Sequence, residues 1–222
     1  MQKFDTPAPI TAVLDIPAGR VQVIAADRAD TAVEVLPANA GKSRDVKAAE
    51  QTSVEYADGV LRVQAPAGKN QYLGSSGSVE VTVKLPAGSR VEGTAAATEL
   101  RGVGRLGEVA FDGAYRQIKL DEATSVHLTA TDGDVQVGRL TGPAEISTQR
   151  GDIQIAEATG GGKVVLSTQS GDISVTAATG LSATLDAGTG YGRITNTLKN
   201  DGAAELAIHA TTSHGDIAAR SL

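Results

Sequence analysis

The segment Ser147-Thr-Gln-Arg-Gly-Asp-Ile153 returns further along the chain as Ser167-Thr-Gln-Ser-Gly-Asp-Ile173. A Gly-Asp pair followed by an aliphatic residue also stands at Gly133-Asp-Val135 and Gly215-Asp-Ile217, with an altered copy at Gly192-Arg-Ile194. The steps between these glycines are 18, 20, 21 and 23 residues, and a short strand pattern precedes each one. Neither strand of a unit can bury its apolar face alone, so units of about 20 residues that stack in parallel predict a β-solenoid.

We interpret the Gly-Asp pairs as structural corners of the repeat. Glycine adopts a positive φ there, and the aspartate binds neighbouring backbone N–H groups. The alternative, a Ca²⁺-binding carboxylate row, requires a Gly-Asp-rich repeat about every nine residues, which the chain lacks. No metal site is therefore predicted. The ten corner residues are Gly133, Asp134, Gly151, Asp152, Gly171, Asp172, Gly192, Arg193, Gly215 and Asp216.

Stacking in chain order gives Arg193 a specific place. It would lie between Asp172 and Asp216, one strand spacing from each. Carboxylates stacked at that spacing repel one another. We therefore expect Arg193 to relieve repulsion on both sides.

The first ninety residues have a different pattern. Short alternating strands are separated by Pro-Ala-Gly and Asp-Gly turns, and Ser53–Gln64 reads as a hairpin around Asp58-Gly59. One short helix is predicted over Ser43–Gln51 with Ser43 as its N-cap, and a loop over Gly68–Gly77. We expect an N-terminal antiparallel sheet portion over 1–90 and a solenoid portion over 91–222, forming one continuous domain. A β-sandwich is the competing architecture, but it does not require the same tripeptide in successive units.

Composition excludes several classes of function. The 222 residues carry a net charge of −6, which argues against a nucleic-acid partner. Without cysteine there is no disulfide, thiol chemistry or Cys-ligated zinc. We find no secretory signal and no apolar run long enough to span a membrane, so the expectation is a cytoplasmic protein without a membrane partner.

The turns Ile16-Pro-Ala-Gly19 and Leu85-Pro-Ala-Gly88, the segment Asp58-Gly-Val-Leu-Arg-Val63 and the serial Gly-Asp-Ile strands resemble the bacterial "putative adhesin" family of β-strand-repeat domains of unknown function. The resemblance covers roughly residues 10 to 220. It implies a right-handed, single-stranded β-solenoid with an N-terminal sheet portion. It implies no catalytic, cofactor-binding or metal-binding residue.

We therefore expect an all-β, non-catalytic scaffold or interaction module for an unknown protein or glycan partner, with no cofactor. One alternative is a carbohydrate-active enzyme, because two carboxylates on stacked coils could reach the separation that inverting hydrolysis needs. The other is a self-associating solenoid: the segment Ile217–Leu222 offers little to cover the last coil, so a homodimer could form through that end. His127, His209 and His214 are expected to be solvated rather than catalytic.

Overall fold

The computed structural model describes residues 1–66, 77–114 and 116–222, with Ala114 described by its backbone alone. The predicted loop Gly68–Gly77 lies outside this range except for Gly77. The described residues form strands and one short helix, and the chain is all-β. The elements are β1 Gln2–Asp5, β2 Thr11–Asp15, β3 Ala18–Ala26, β4 Asp30–Pro37, α1 Ser43–Gln51, β5 Ser53–Ala57, β6 Val60–Gln64, β7 Val79–Pro86, β8 Arg90–Thr94, β9 Ala97–Ala114, β10 Ile118–Asp132, β11 Val135–Leu140, β12 Ala144–Arg150, β13 Ile153–Ala158, β14 Gly162–Ser170, β15 Ile173–Ala177, β16 Ala183–Tyr191, β17 Ile194–Thr197, β18 Leu206–His214 and β19 Ile217–Ser221.

The strands stack into two long faces joined at a corner. Face A has the spatial order β5, β6, β2, β8, β9, β10, β12, β14, β18, β16. Face B has the order β1, β4, β7, β3, β9, β10, β11, β13, β15, β19, β17. The long strands β9 and β10 run around the corner and belong to both faces. Apart from β1, β4 and β5, every strand pairs in parallel, which makes the fold β-solenoid-like.

The N-terminal portion differs from the antiparallel sheet that we predicted. Strands β2 and β3 do not form a hairpin with each other; they lie on different faces and pair in parallel with β6 and β7. They also pair with β8 and β9, so the first coil of the chain sits second in the stack. The prediction was wrong because Pro17-Ala-Gly19 turns the chain from one face to the other instead of reversing it. Within the described residues, antiparallel pairing is confined to the pairs β1–β4, β4–β7 and β5–β6.

Two local predictions in this portion are confirmed. The β5–β6 hairpin turns at Asp58 and Gly59, both with positive φ (51° and 76°). Helix α1 spans Ser43–Gln51 as expected. Its N-cap, however, is Lys42, which makes no side-chain capping bond, so the assignment of Ser43 as N-cap was wrong by one residue.

The C-terminal coils do not stack in chain order. Strand β14 pairs with β18 rather than β16, and β15 pairs with β19 rather than β17. The last coil of the chain is thus inserted between its two predecessors, and β16 and β17 form the final coil of the stack. We call this final unit, residues 183–197, the end coil. The segment Ile217–Leu222 is therefore internal and does not form the open end.

The core consists of straight rows of aliphatic side chains between the faces. One row on face B runs through Ile153, Ile173 and Ile217, each no more than 1% exposed. A row on face A runs Leu128, Ile146, Leu166, Ala210 and Ala187. Leu185 and Ile208 belong to the neighbouring row with Val164.

The N-terminal end of the core is covered. Phe4 on β1 and Tyr56 on β5 contact each other with ring centroids 5.4 Å apart, so the two outermost strands meet across the end. Helix α1 packs beside β4 and β7. No helix in the described part of the chain is long and apolar enough to cross a membrane.

Candidate functional site: the corner row and the outer surface of face A

The corner aspartates form one hydrogen-bonded column, which we call the corner row. Asp134 accepts the backbone N–H of Asp152 through Oδ1 at 2.9 Å. Asp152 accepts that of Asp172 at 2.8 Å, and Asp172 accepts that of Asp216 at 2.7 Å. Asp216 in turn accepts the N–H of Arg193 at 2.8 Å. Each carboxylate therefore ties its coil to the next, which is a structural task.

Arg193 lies at the end of this row and not between two aspartates. The hydrogen bonds place Asp216 between Asp172 and Arg193, so the expected position of Arg193 was wrong. The insertion of the last coil is the physical reason. An arginine has no acceptor oxygen, so the row cannot continue to another coil.

The glycine of each corner is required by close approach as well as by its backbone angle. Gly171 has φ 152°. A Cβ on Gly171 would overlap the carbonyl oxygen of Gly151 on the preceding coil. Any side chain there would push the coils apart.

The sequence analysis missed the threonines that brace three of the corners, those of Gly151, Gly171 and Gly215. Thr168 and Thr212 are buried, 6% exposed each, and donate their hydroxyl hydrogens to the carbonyls of Gly151 and Gly171 at 3.2 and 3.1 Å. Thr189 does the same to Gly215 at 2.9 Å. The signal was present in the repeated Ser-Thr-Gln: strand alternation points its threonine inward.

The outer surface of face A carries two rows of uncharged polar side chains, which we call the hydroxyl rows. Within the described residues none of the hydroxyls in these rows has a hydrogen-bond partner in the protein. Their donors and acceptors are free to bind a ligand. The first row is Thr129, Ser147, Ser167 and Thr211, in register on neighbouring strands. The second row, two residues further along each strand, is Thr131, Gln149, Gln169 and Ser213.

A groove of about 560 Å³ lies on the same face toward its N-terminal end. Its floor contains the short side chains of Val13 and Ala110, and longer ones including Arg62, Glu92 and His127 line it. The apolar floor can hold an uncharged group, and the walls carry both signs of charge. Together, the groove and the hydroxyl rows make a single continuous surface, the binding face.

The three histidines do not converge. His127 lies 3.4 Å from Glu145, and His209 lies 2.9 Å from Asp186, both on the outer surface. His214 stacks on Tyr191 with centroids 5.1 Å apart. Residues 1–66, 77–114 and 116–222 contain no group of three or more His, Asp or Glu side chains placed to hold a metal ion.

Two carboxyl groups away from the binding face have shifted acidities. The hydrogen bond from Arg28 holds the pKa of Asp30 below its ordinary value. Hydrogen bonds from Ser182 and from the Ala203 N–H lower the pKa of Asp201. Both groups are thereby stabilised in their charged form.

Comparison with known proteins supplies a family and a fold. The model of the family described as Toastrack DUF4097 matches residues 76–220. A "putative adhesin" from Bacteroides fragilis is similar over 100% of this chain and 95% of its own, with a TM-score of 0.52 and 13% identity. A "putative cell adhesion protein" from Clostridium sporogenes (TM-score 0.48, 11% identity, 100% and 98% covered) and a "putative lipid binding protein" from Parabacteroides distasonis (0.48, 13%, 98% and 95%) are also similar. No curated protein matches the chain.

Proposed function

Because the chain belongs to the Toastrack DUF4097 family, we propose that it is a non-catalytic, adhesin-like scaffold that binds its partner on the binding face. The observation that carries the proposal is the pair of hydroxyl rows. They are straight, regularly spaced and without hydrogen-bond partners in the described protein. The adhesin description of the Bacteroides fragilis protein, which has the same fold, points the same way.

The chemistry of the rows favours a glycan. Strands spaced by ~4.8 Å present hydroxyl and amide groups at regular intervals along the stack. Such groups both donate and accept hydrogen bonds, as the hydroxyls of a sugar chain do. The uncharged rows also require no charge on the ligand. The groove beside them offers an apolar floor for the less polar face of a sugar ring.

The finer architecture is part of the same proposal. We take the coils to be right-handed and single-stranded with about 20 residues each. Parallel strands joined by a crossover are right-handed in nearly all proteins. The pairings of Val135 with Ile153 and of Ile153 with Ile173 fit a repeat of this length.

The test is a glycan array followed by titration of any hit. The double variant Ser147→Ala, Ser167→Ala removes two hydroxyls from the first row. Two hydrogen bonds of about 1 kcal/mol each predict a loss of affinity of about 30-fold. Ser174→Ala is the matched control, since Ser174 is also half-buried but faces outward on face B.

Each outcome has a defined meaning. If the double variant and the control bind the glycan with equal affinity, the glycan does not bind on the hydroxyl rows. If no glycan on the array binds, a glycan is excluded as the partner and a protein partner is favoured. Cleavage of a bound glycan would overturn the non-catalytic part and favour the carbohydrate-active alternative.

A further inference from the structure

The end coil leaves the core open at the C-terminal end of the stack. Ile173 and Ile217 are each 1% exposed, yet Ile194 in the same row is 46% exposed. On face A, Leu185 and Ala187 are half-buried, although the residues of their rows on the preceding coils are buried. Tyr191, at the corner of the same coil, is 75% exposed. The apolar interior therefore continues to a surface that no described residue covers.

Two strand edges are open at this same level. Within the described residues β16 pairs only with β18, and β17 only with β19. The pairing of β16 is in register from Ala183 to Tyr191 without a bulge. Between them the two strands carry one charged residue, Asp186, and no proline. Proteins protect edge strands with charges, prolines and bulges, and these edges have little of that protection.

The opposite end of the stack is built differently. There the aromatic pair of Phe4 and Tyr56 covers the core. The outer strands carry Lys3, Asp5 and Glu55, which protect their edges. One end is closed and its edges are charged. The other is open, and its inward rows end in apolar side chains and in Asn196, which takes the place of buried Ala219.

We propose that the end coil is a dimerisation surface that takes the end coil of a second copy of this chain. A single extended peptide could pair with β16 or with β17, but these strands lie on different faces. A second end coil presents the same two strands at the same separation and can cover both edges and the open core together. A two-fold axis normal to face A places β16 of one copy antiparallel to β16 of the other. It places the two β17 strands antiparallel in the same way.

The geometry makes the assembly a closed dimer. A two-fold contact uses the same patch on both copies and leaves no second end coil free. Stacking of an end coil on the covered end of another copy would have to displace β1, β4 and β5. The contact involves few residues, so we expect a Kd in the micromolar range. The binding faces of the two copies would then form one surface, which would raise the avidity for a repetitive ligand.

The test is sedimentation velocity at protein concentrations up to about 1 mM. This range detects dimers with a Kd as weak as about 1 mM. The wild-type protein should move from monomer to dimer with no larger species. Ile194→Asp should weaken dimerisation at least 10-fold, since it places a charge in the contact. Leu36→Asp is the matched control: Leu36 is 48% exposed, close to the 46% of Ile194, but lies on β4 near the covered end. It should leave the dimer unchanged.

A second measurement locates the contact. The chain has no cysteine, so a single introduced thiol reports one position. A Cβ on Gly188 meets nothing within 4 Å, so Gly188→Cys on β16 fits without strain. A short bismaleimide should crosslink Gly188→Cys into dimers and leave Leu36→Cys monomeric.

The proposal is overturned if the wild-type protein stays monomeric throughout, or if Ile194→Asp and Leu36→Asp dimerise equally. Crosslinking of both cysteine variants to the same extent, or growth beyond a dimer, would also overturn it. These readouts involve no glycan, so failure of the dimer leaves the proposed binding function untouched, and the reverse holds.

Discussion

Replacement of Asp172 separates the two effects that a stacked carboxylate has on stability. The carboxylate accepts the Asp216 N–H at 2.7 Å, and it stands between Asp152 and Asp216 in the corner row. Asp172→Ala removes both the acceptor and the charge. Asp172→Asn removes the charge and keeps an acceptor oxygen.

The expected magnitudes follow from this geometry. At a spacing of ~4.8 Å two carboxylates repel by roughly 0.9 kcal/mol in water, and screening at 0.15 M salt leaves about half. Relief from two neighbours is thus worth about 1 kcal/mol. A hydrogen bond to a charged group contributes roughly 1.5–3 kcal/mol, with the low end fitting an exposed site, and a neutral one about 1. Asp172→Ala should therefore lower the free energy of unfolding by about 0.5–2 kcal/mol, while Asp172→Asn should leave it nearly unchanged.

The assay is urea unfolding at 0.15 M and 1 M NaCl. High salt screens the repulsion between the carboxylates, so removal of the Asp172 charge stabilises the protein less. Both variants should therefore become less stable relative to the wild type by about 0.5 kcal/mol. Equal destabilisation by Ala and Asn at low salt would refute the balance between acceptor and charge. If the stability of each variant relative to the wild type did not change with salt, the stacked carboxylates would not repel one another measurably.

Three further predictions concern packing and topology. Leu166→Ala should lower the free energy of unfolding by about 2–5 kcal/mol because it leaves a cavity. His127→Ala, on the outer surface, should lower it by less than about 1 kcal/mol. Similar values for the two variants in urea titrations would mean that the side chains assigned inward and outward are wrongly assigned. Gly171→Ala should lower the thermal midpoint by several degrees because its Cβ overlaps the preceding coil, and Gly188→Ala, which has open space, should not; a neutral Gly171→Ala would show that the coils can separate at little cost. Among the described residues, the end coil pairs only with the inserted strands β18 and β19. Removal of residues 203–222 should therefore detach it, and hydrogen exchange would then show no protection in β16 and β17; retained protection would contradict the stacking order.

Several elements were predictable because their causes are local. The hairpin at Asp58-Gly59 and helix α1 over Ser43–Gln51 follow from turn chemistry and patterning within a few residues. The alternation of Ile153, Ile173 and Ile217 with polar neighbours determined which side chains enter the core. The Gly-Asp repeat indicated stacked coils, since only stacking buries such short strands. The groove on face A was not predictable, because it depends on side chains of strands far apart in sequence.

The sequence by itself thus determined the strands, their inward sides and the corners. Only the tertiary structure decided the order in which the coils stack. Each coil offers its neighbours nearly the same aliphatic rows and the same corner, so local chemistry does not distinguish one neighbour from another. The order of stacking therefore depends on the residues that differ between coils. Asn196 occupies a position that is Ala219 on the neighbouring coil and is 2% exposed there. On the end coil the Asn196 Oδ1 accepts the Leu198 N–H, and Arg193 brings no carboxylate that could accept the N–H of a further coil. The coil that carries these two residues therefore ends the stack, and the segment after it returns to fill the place between.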